Sequence, residues 1–237
     1  CFHGTLPTTI CSNINLVSLI LDGMSSASSC RQPLVFGISS AYQLTRSLHG
    51  IIPECLFNDM TNLTTLHLSG NGFTGTLPHD TEPSASLVDL AISHNQLVGV
   101  IPERIQKHNW TTLDLSFNQL TGTLSSNVNQ STSVSLSLND NRLSGVIPGS
   151  MLGILDISVL GSNIFSCNVD YFDVDLPSHD SGRKTYQCGS ALFDGQIFGW
   201  LSFVMLFVVI FCFAYHMGDN LWKELLVAPK VNCWVRC

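Results

Sequence analysis

The chain reads as an α/β-type repeat solenoid of short parallel strands, followed by one transmembrane helix. Three observations carry that reading. Asn71, Asn95, Asn118, Asn141 and Asn163 recur at steps of 24, 23, 23 and 22 residues. A leucine pattern keeps register with those asparagines. Residues 197–215 hold no formal charge and are rich in Phe, Val, Leu and Ile. A period of this length marks stacked coils, each of which can bury its apolar face only against its neighbours.

Aligned on the asparagines, the first full unit runs Leu63, Leu66, Leu68, Ser69, Asn71, Phe73, Gly75, Leu77, Pro78. The second runs Leu87, Leu90, Ile92, Ser93, Asn95, Leu97, Gly99, Ile101, Pro102. Leu113, Leu115, Ser116, Asn118, Leu120, Gly122 and Leu124 form the third, and Leu136, Leu138, Asn141, Leu143, Gly145, Ile147 and Pro148 the fourth. At the front, Phe2, Gly4, Leu6 and Pro7 are the tail of a unit whose head is absent.

Each position has a physical role. The Leu-x-Leu alternation makes a short strand with one face inward, because side chains alternate across a strand. After that strand the chain turns inside the protein and leaves backbone groups away from water. An inward Asn carries two donor hydrogens and an acceptor, so a stacked row of them can satisfy those groups. The Gly permits a turn that a Cβ would obstruct, and the Pro ends regular pairing.

These units resemble the plant-type leucine-rich repeat, L-x-x-L-x-L-S-x-N-x-L-x-G-x-I-P. The resemblance covers most of residues 1–165 and implies a horseshoe of stacked coils with a concave ligand-binding face. It also implies a cysteine-stapled C-terminal cap over residues 166–190, with a Cys167–Cys188 disulfide. Residues 16–53 begin and end as a repeat, but an insert of about 22 residues, spanning about 22–46, separates Leu21 from Ile52. Met24 stands there where Asn is expected. Inserts in solenoids map to loops on one face.

Residues 191–196 read as a juxtamembrane linker, 197–215 as the transmembrane helix and 216–237 as a short cytoplasmic tail. As a helix, nineteen residues reach about 28 Å, close to a bilayer core of about 30 Å. Trp200 and Tyr215 sit near its ends, where aromatic rings prefer the interface. A signal for a lipid anchor would end in its apolar tail, whereas this chain continues through Lys223, Lys230 and Arg236.

Residues 1–195 carry 7 Lys and Arg against 15 Asp and Glu, with no basic stripe for nucleic acid. Six cysteines precede the span: Cys1, Cys11, Cys30, Cys55, Cys167 and Cys188. An even number suits an oxidising compartment, and the pairing of the first four is open. Glycosylation sequons stand at Asn62, Asn109 and Asn129. Together these place the repeats outside the cell, in a single-pass protein of the plasma membrane. The chain opens within a repeat without Met, which reads as a fragment or a processed chain.

By register, the concave face presents Thr65, His67 and Ser69; Asp89 and Ser93; Thr112, Asp114 and Ser116; and Ser137 and Asn139, with Phe117 at a strand exit as its one large anchor. Asp170, Asp173, Asp175 and Asp180 read as a solvated acidic linker. No hydrolase, metalloprotease or nucleotide-binding motif occurs, and the histidines form no metal-ligand pair at helical spacing. The expectation is therefore recognition without catalysis, cofactor or metal. The chain resembles receptor-like proteins that bind an extracellular protein or peptide and signal with a co-receptor. The alternatives are a structural or adhesive coat protein and an inhibitor of secreted hydrolases.

Overall fold

In a computed structural model, residues 3–23, 32–33, 42–43, 48–126, 131–167, 176–186, 188 and 199–211 are described. The chain forms two compact units, residues 1–189 and 190–237. Most of the insert, residues 168–175, the linker at 191–196 and the tail at 216–237 lie outside the described residues. Cys1, Cys30 and Asn129 do so too.

The first unit is a solenoid in which each coil adds one strand to each of two parallel sheets. The six-stranded sheet contains β2 (Ser18–Ile20), β6 (Thr65–His67), β8 (Asp89–Ala91), β10 (Thr112–Asp114), β12 (Ser135–Ser137) and β14 (Asp156–Ser158). Its register is that of the repeat: Leu66 pairs with Leu90, Leu90 with Leu113, Leu113 with Leu136 and Leu136 with Ile157. The middle residue of each of these three-residue strands from β6 onward is buried, and the flanking two face outward.

The seven-stranded sheet contains β1 (Gly4–Thr5), β5 (Leu48–Ile51), β7 (Gly72–Gly75), β9 (Gln96–Val100), β11 (Gln119–Thr123), β13 (Arg142–Gly145) and β15 (Ile164–Phe165). The repeat glycines lie here, with φ of +88° at Gly50, +87° at Gly75 and Gly122, +83° at Gly99 and +80° at Gly145. A second constraint joins the left-handed backbone. A Cβ on Gly122 would lie 2.8 Å from Val100 Cγ1, and one on Gly145 2.8 Å from Thr123 Cγ2. Each coil thus rests a β-branched side chain on the bare glycine of the next. Within the insert, β3 (Gln32–Pro33) pairs antiparallel with β4 (Tyr42–Gln43).

Between the sheets runs one continuous core. Leu63, Leu66, Leu68, Phe73, Leu87, Leu90, Ile92, Leu115 and Leu120 have no measurable exposure. Full burial of such side chains stabilises by roughly 1.5–3 kcal/mol each. The return segments carry short helices, α1 (Cys55–Asn58) and α2 (Glu103–Lys107), which start just after Pro53 and Pro102. After α2, Trp110 closes the coil from inside: its ring is buried and Nε1 donates to the Ile105 carbonyl at 2.7 Å.

At the C-terminal end of the solenoid the expected disulfide is present. Cys167 and Cys188 are bonded, with Cα atoms 5.6 Å apart. At the other end Cys11 bonds Cys55, tying a 3₁₀ turn at Thr8–Ser12 to α1 across 44 residues of sequence. Asp180 is not part of a solvated linker. It is buried, and its Oδ2 accepts the Val159 and Leu160 N–H groups at 2.7 and 3.0 Å while Oδ1 accepts that of Gly182 at 2.8 Å. The exposed end of a sheet needs partners for its amides, and a carboxylate that accepts several N–H bonds supplies them.

In the second unit, residues 199–211 form a helix, α3. Its apolar side chains are almost all exposed, among them Trp200, Phe203, Phe207 and Phe211. Among the described residues, no helix is long and apolar enough to cross a membrane. Residues 197–198 and 212–215 of the expected span lie outside the described set.

Candidate functional site

The face expected to bind is the outer side of the six-stranded sheet, and the asparagine ladder fixes its shape. Asn118 Nδ2 donates to the carbonyls of Ile92, Leu115 and Ser116, each at 3.1 Å, and its Oδ1 accepts the Leu97 N–H at 3.1 Å. Asn95, Asn141 and Asn163 repeat the scheme, with Oδ1 accepting from Phe73, Leu120 and Leu143. Every ladder side chain thus bonds its own coil and the one before it. Asn71 starts the row. Its Nδ2 reaches the carbonyls of Leu21, Leu68 and Ser69, while its buried Oδ1 has no partner among the described residues.

Above the ladder, the strands present the residues the repeat assigns. Thr65, His67, Asp89, Thr112, Asp114 and Ser137 are half-exposed, as are Ser69 and Asn139 just past their strands. Ser93 and Ser116 differ: both are buried. Ser93 Oγ donates to Ser69 Oγ at 3.1 Å, and Ser116 Oγ donates to Asp114 Oδ1 at 2.6 Å. The third alternating position is therefore mixed: it is walled in at Ser93 and Ser116 and half-exposed at Ser69 and Asn139.

Contacts across coils organise this face. His67 stands between two carboxylates, with Nε2 3.0 Å from Asp89 Oδ1 and Nδ1 3.5 Å from Asp22 Oδ2. Asp22 Oδ1 also accepts the Ser69 N–H at 2.6 Å. Asp22 was outside the sequence-derived set; its position at the start of the insert hid its place in the register. Among the described residues no Lys or Arg lies on this sheet: Arg104 and Lys107 belong to α2, Arg142 to β13, and Arg183 and Lys184 to the cap region. Asp22, Asp89, Asp114 and Asp156 therefore give the face a single sign of charge.

At the strand exits the side chains of successive coils stack. His94 and Phe117 lie ring on ring, with centroids 4.0 Å apart and planes 11° from parallel. Both have left-handed backbones, φ +53° and +52°, as do Asp140 at +55° and Ser162 at +55°; the matching position one coil earlier is Gly70.

Of the sequons, Asn109 is exposed. Asn62 is exposed as well, but its Nδ2 donates to the Ile14 carbonyl at 2.9 Å and ties two coils together. Among the described residues no group of three or more His, Cys, Asp or Glu side chains could hold a metal. At the capped end, Tyr186 donates its hydroxyl to the Phe165 carbonyl at 2.9 Å, and burial pushes its pKa up to about 12. It lines a cavity of about 290 Å³ with Leu160, Ser162 and Gly182.

Stacked parallel coils, an internal asparagine ladder and glycines bearing the next coil define a parallel solenoid of two-sheet coils. The Leucine Rich Repeat family model matches residues 62–82 and 109–130. Residues 62–82 and 109–130 are thus leucine-rich repeats, and the solenoid built around them has the leucine-rich-repeat fold. Among solved structures it is similar to the ectodomain of the membrane receptor kinase GASSHO1/SCHENGEN3 from Arabidopsis thaliana, at 24% identity, TM-score 0.52, covering 70% of this chain and 18% of that one. It is also similar to the plant peptide hormone receptor RGFR1, at 25% identity, TM-score 0.47, covering 73% and 25%. A plant ice-binding protein matches at 20% identity, TM-score 0.47, covering 78% of this chain and 58% of that one. The chain thus spans about a fifth to a quarter of the two receptor chains. No curated protein matches it.

Proposed function

We propose that this chain is the membrane-proximal part of a single-pass cell-surface protein that recognises an extracellular protein or peptide ligand on its six-stranded sheet. It acts without catalysis and passes the signal on through a co-receptor. The observation that carries the reading is the face itself. From β6 to β12 it offers half-exposed Thr, Ser, His and Asp side chains in fixed register, with carboxylates and no cation among the described residues. An extended segment laid across it meets ordered donors and acceptors at the spacing of adjacent strands, about 4.8 Å. The two disulfides suit an oxidising exterior. The exposed aromatic and aliphatic side chains of α3 support an anchor at the membrane.

The test is selection of a random dodecapeptide display library on the full chain in lipid nanodiscs. Selected peptides should lose binding when Asp89 and Asp114 are both changed to Lys. They should also slow amide exchange along β6 to β12. Peptides that bind the double variant equally well, or protect only the seven-stranded sheet, would overturn the assignment of this face. Placement at the cell surface is checked separately by glycosidase treatment and surface biotinylation of cells expressing the chain. Loss of a mass shift in an Asn109→Gln variant is the expected sign that the repeats lie outside.

A further inference from the structure

Phe117 is 43% exposed in a backbone conformation that a bulky side chain rarely adopts. A left-handed residue with a Cβ carries a backbone strain that glycine does not, and such strain gathers at functional sites. The coil two steps earlier shows that the fold does not need it, since Gly70 fills the same place with φ +71°. His94, Phe117 and Asp140 therefore hold side chains where the repeat is satisfied by none.

Their arrangement is specific. His94 covers one face of the Phe117 ring. His94 comes from the preceding coil, and the coil on the other side carries Asp140, bonded through Phe117 N–H to the Asn139 carbonyl at 3.0 Å and Asn118 N–H to the Asp140 carbonyl at 3.1 Å. The Asp140 carboxylate is already oriented. Its Oδ2 accepts from Asn139 Nδ2 at 2.6 Å, Asn139 Oδ1 accepts from Ser158 Oγ at 3.2 Å, and Asp140 Oδ1 has no partner among the described residues. A planar cation laid on the free ring face would continue the stack and reach that oxygen.

We infer that the His94–Phe117–Asp140 stack is a subsite for an arginine side chain of the ligand, distinct from the strand positions that hold the ligand's backbone. Guanidinium is flat, always charged and weakly hydrated, so it stacks on an aromatic face while its edge donates to a carboxylate. A lysine ammonium lacks the plane. Among the described residues no Lys or Arg lies on the six-stranded sheet, which leaves the position open to a cation from outside. This inference rests on the proposed recognition of a peptide or protein segment by that sheet.

The test uses the same dodecapeptide library on the full chain, with Phe117→Gly and Asp140→Asn variants beside the unaltered protein. Phe117→Gly installs the residue that the earlier coil already uses, so it should fold and resist urea at least as well as the parent. Selected peptides should be enriched in arginine over lysine. Each variant, and an Arg-to-Lys change in the peptide, should raise Kd about tenfold, the size of a partly desolvated cation–π contact. Peptides without arginine preference, or unaffected by Phe117→Gly yet lost on the Asp89 and Asp114 double change, would overturn this subsite while leaving the sheet as the binding face. Failure to select any peptide would overturn both.

Discussion

Asparagine 118 is the most informative position to perturb. Changing it to Ala removes four hydrogen bonds in a site only 9% exposed. The Leu97 N–H loses its acceptor, and the carbonyls of Ile92 and Leu115 lose a donor. Each buried group left unsatisfied costs about 1–3 kcal/mol, and carbonyls with a second lone pair fall at the low end. The expected loss is about 3–5 kcal/mol, a large part of the about 5–15 kcal/mol that holds a typical domain folded. The same change at Asn71 removes only the donor side, because its Oδ1 has no partner among the described residues. It should cost about 1–2 kcal/mol less. Urea unfolding of the full chain in detergent, followed by far-UV circular dichroism, reads both as midpoint shifts provided the slope is unchanged. Equal shifts at the two positions, or a shift at Asn118 worth under about 1 kcal/mol, would refute the claim that the ladder joins each coil to the one before it.

Three further outcomes follow from the geometry. Gly122→Ala combines a φ of +87° with a Cβ 2.8 Å from Val100 Cγ1, so it should cost about 2–4 kcal/mol; Gly153→Ala meets nothing within 4 Å and should cost under about 0.5 kcal/mol in the same urea assay. Asp180→Ala strands the Val159 and Leu160 amides at the end of the stack, so hydrogen exchange should speed up there first, with about 2–3 kcal/mol lost. Burial holds the Tyr186 proton, with the pKa raised from 10.0 to about 12. The folded state therefore keeps a proton that the unfolded chain releases. This contribution to stability is fully present below pH 10 and is lost as pH rises toward about 12. An ultraviolet titration should show one of the four tyrosines ionising late, and Tyr186→Phe should remove both that step and its share of the alkaline loss.

The features legible in the sequence are those that recur. Leu66, Leu90, Leu113 and Leu136 share one environment repeated by translation, so their identity and their register are the same fact. The same holds for Asn95, Asn118 and Asn141, whose spacing foretold both the ladder and its inter-coil bonds. What the sequence hid occurs once. Asp180 looked like one member of an acidic run; only the three-dimensional structure shows its carboxylate on the Val159 and Leu160 amides that follow β14. The Cys11–Cys55 pair depends on a 3₁₀ turn meeting a helix across the insert, and nothing periodic marks it. Ser93 and Ser116 misled because their hydroxyls bond neighbouring groups, Ser69 Oγ and Asp114 Oδ1, which a register shared with half-exposed Ser69 and Asn139 does not mark. The last coil looked irregular because its Asn163 reaches back to Val159, four residues, where Asn118 reaches back three to Leu115.

Repetition also explains why the candidate site sits where strain is found. A solenoid gains its stability from positions that are alike in every coil, so those positions cannot encode a particular partner. Specificity must come from positions the coil leaves undetermined, and two kinds exist here. The outward strand residues vary at little cost because solvent accepts either side chain. The left-handed exit residues vary at a cost, since glycine would suit the backbone better. Where Gly70 gives way to His94, Phe117, Asp140 and Ser162 in four successive coils, side chains stand against that preference, and the first three form the stacked subsite. Replacing all three by glycine should therefore make a more stable protein that recognises less. If the triple variant instead unfolds at lower urea, the stacked side chains are structural and the strain argument fails.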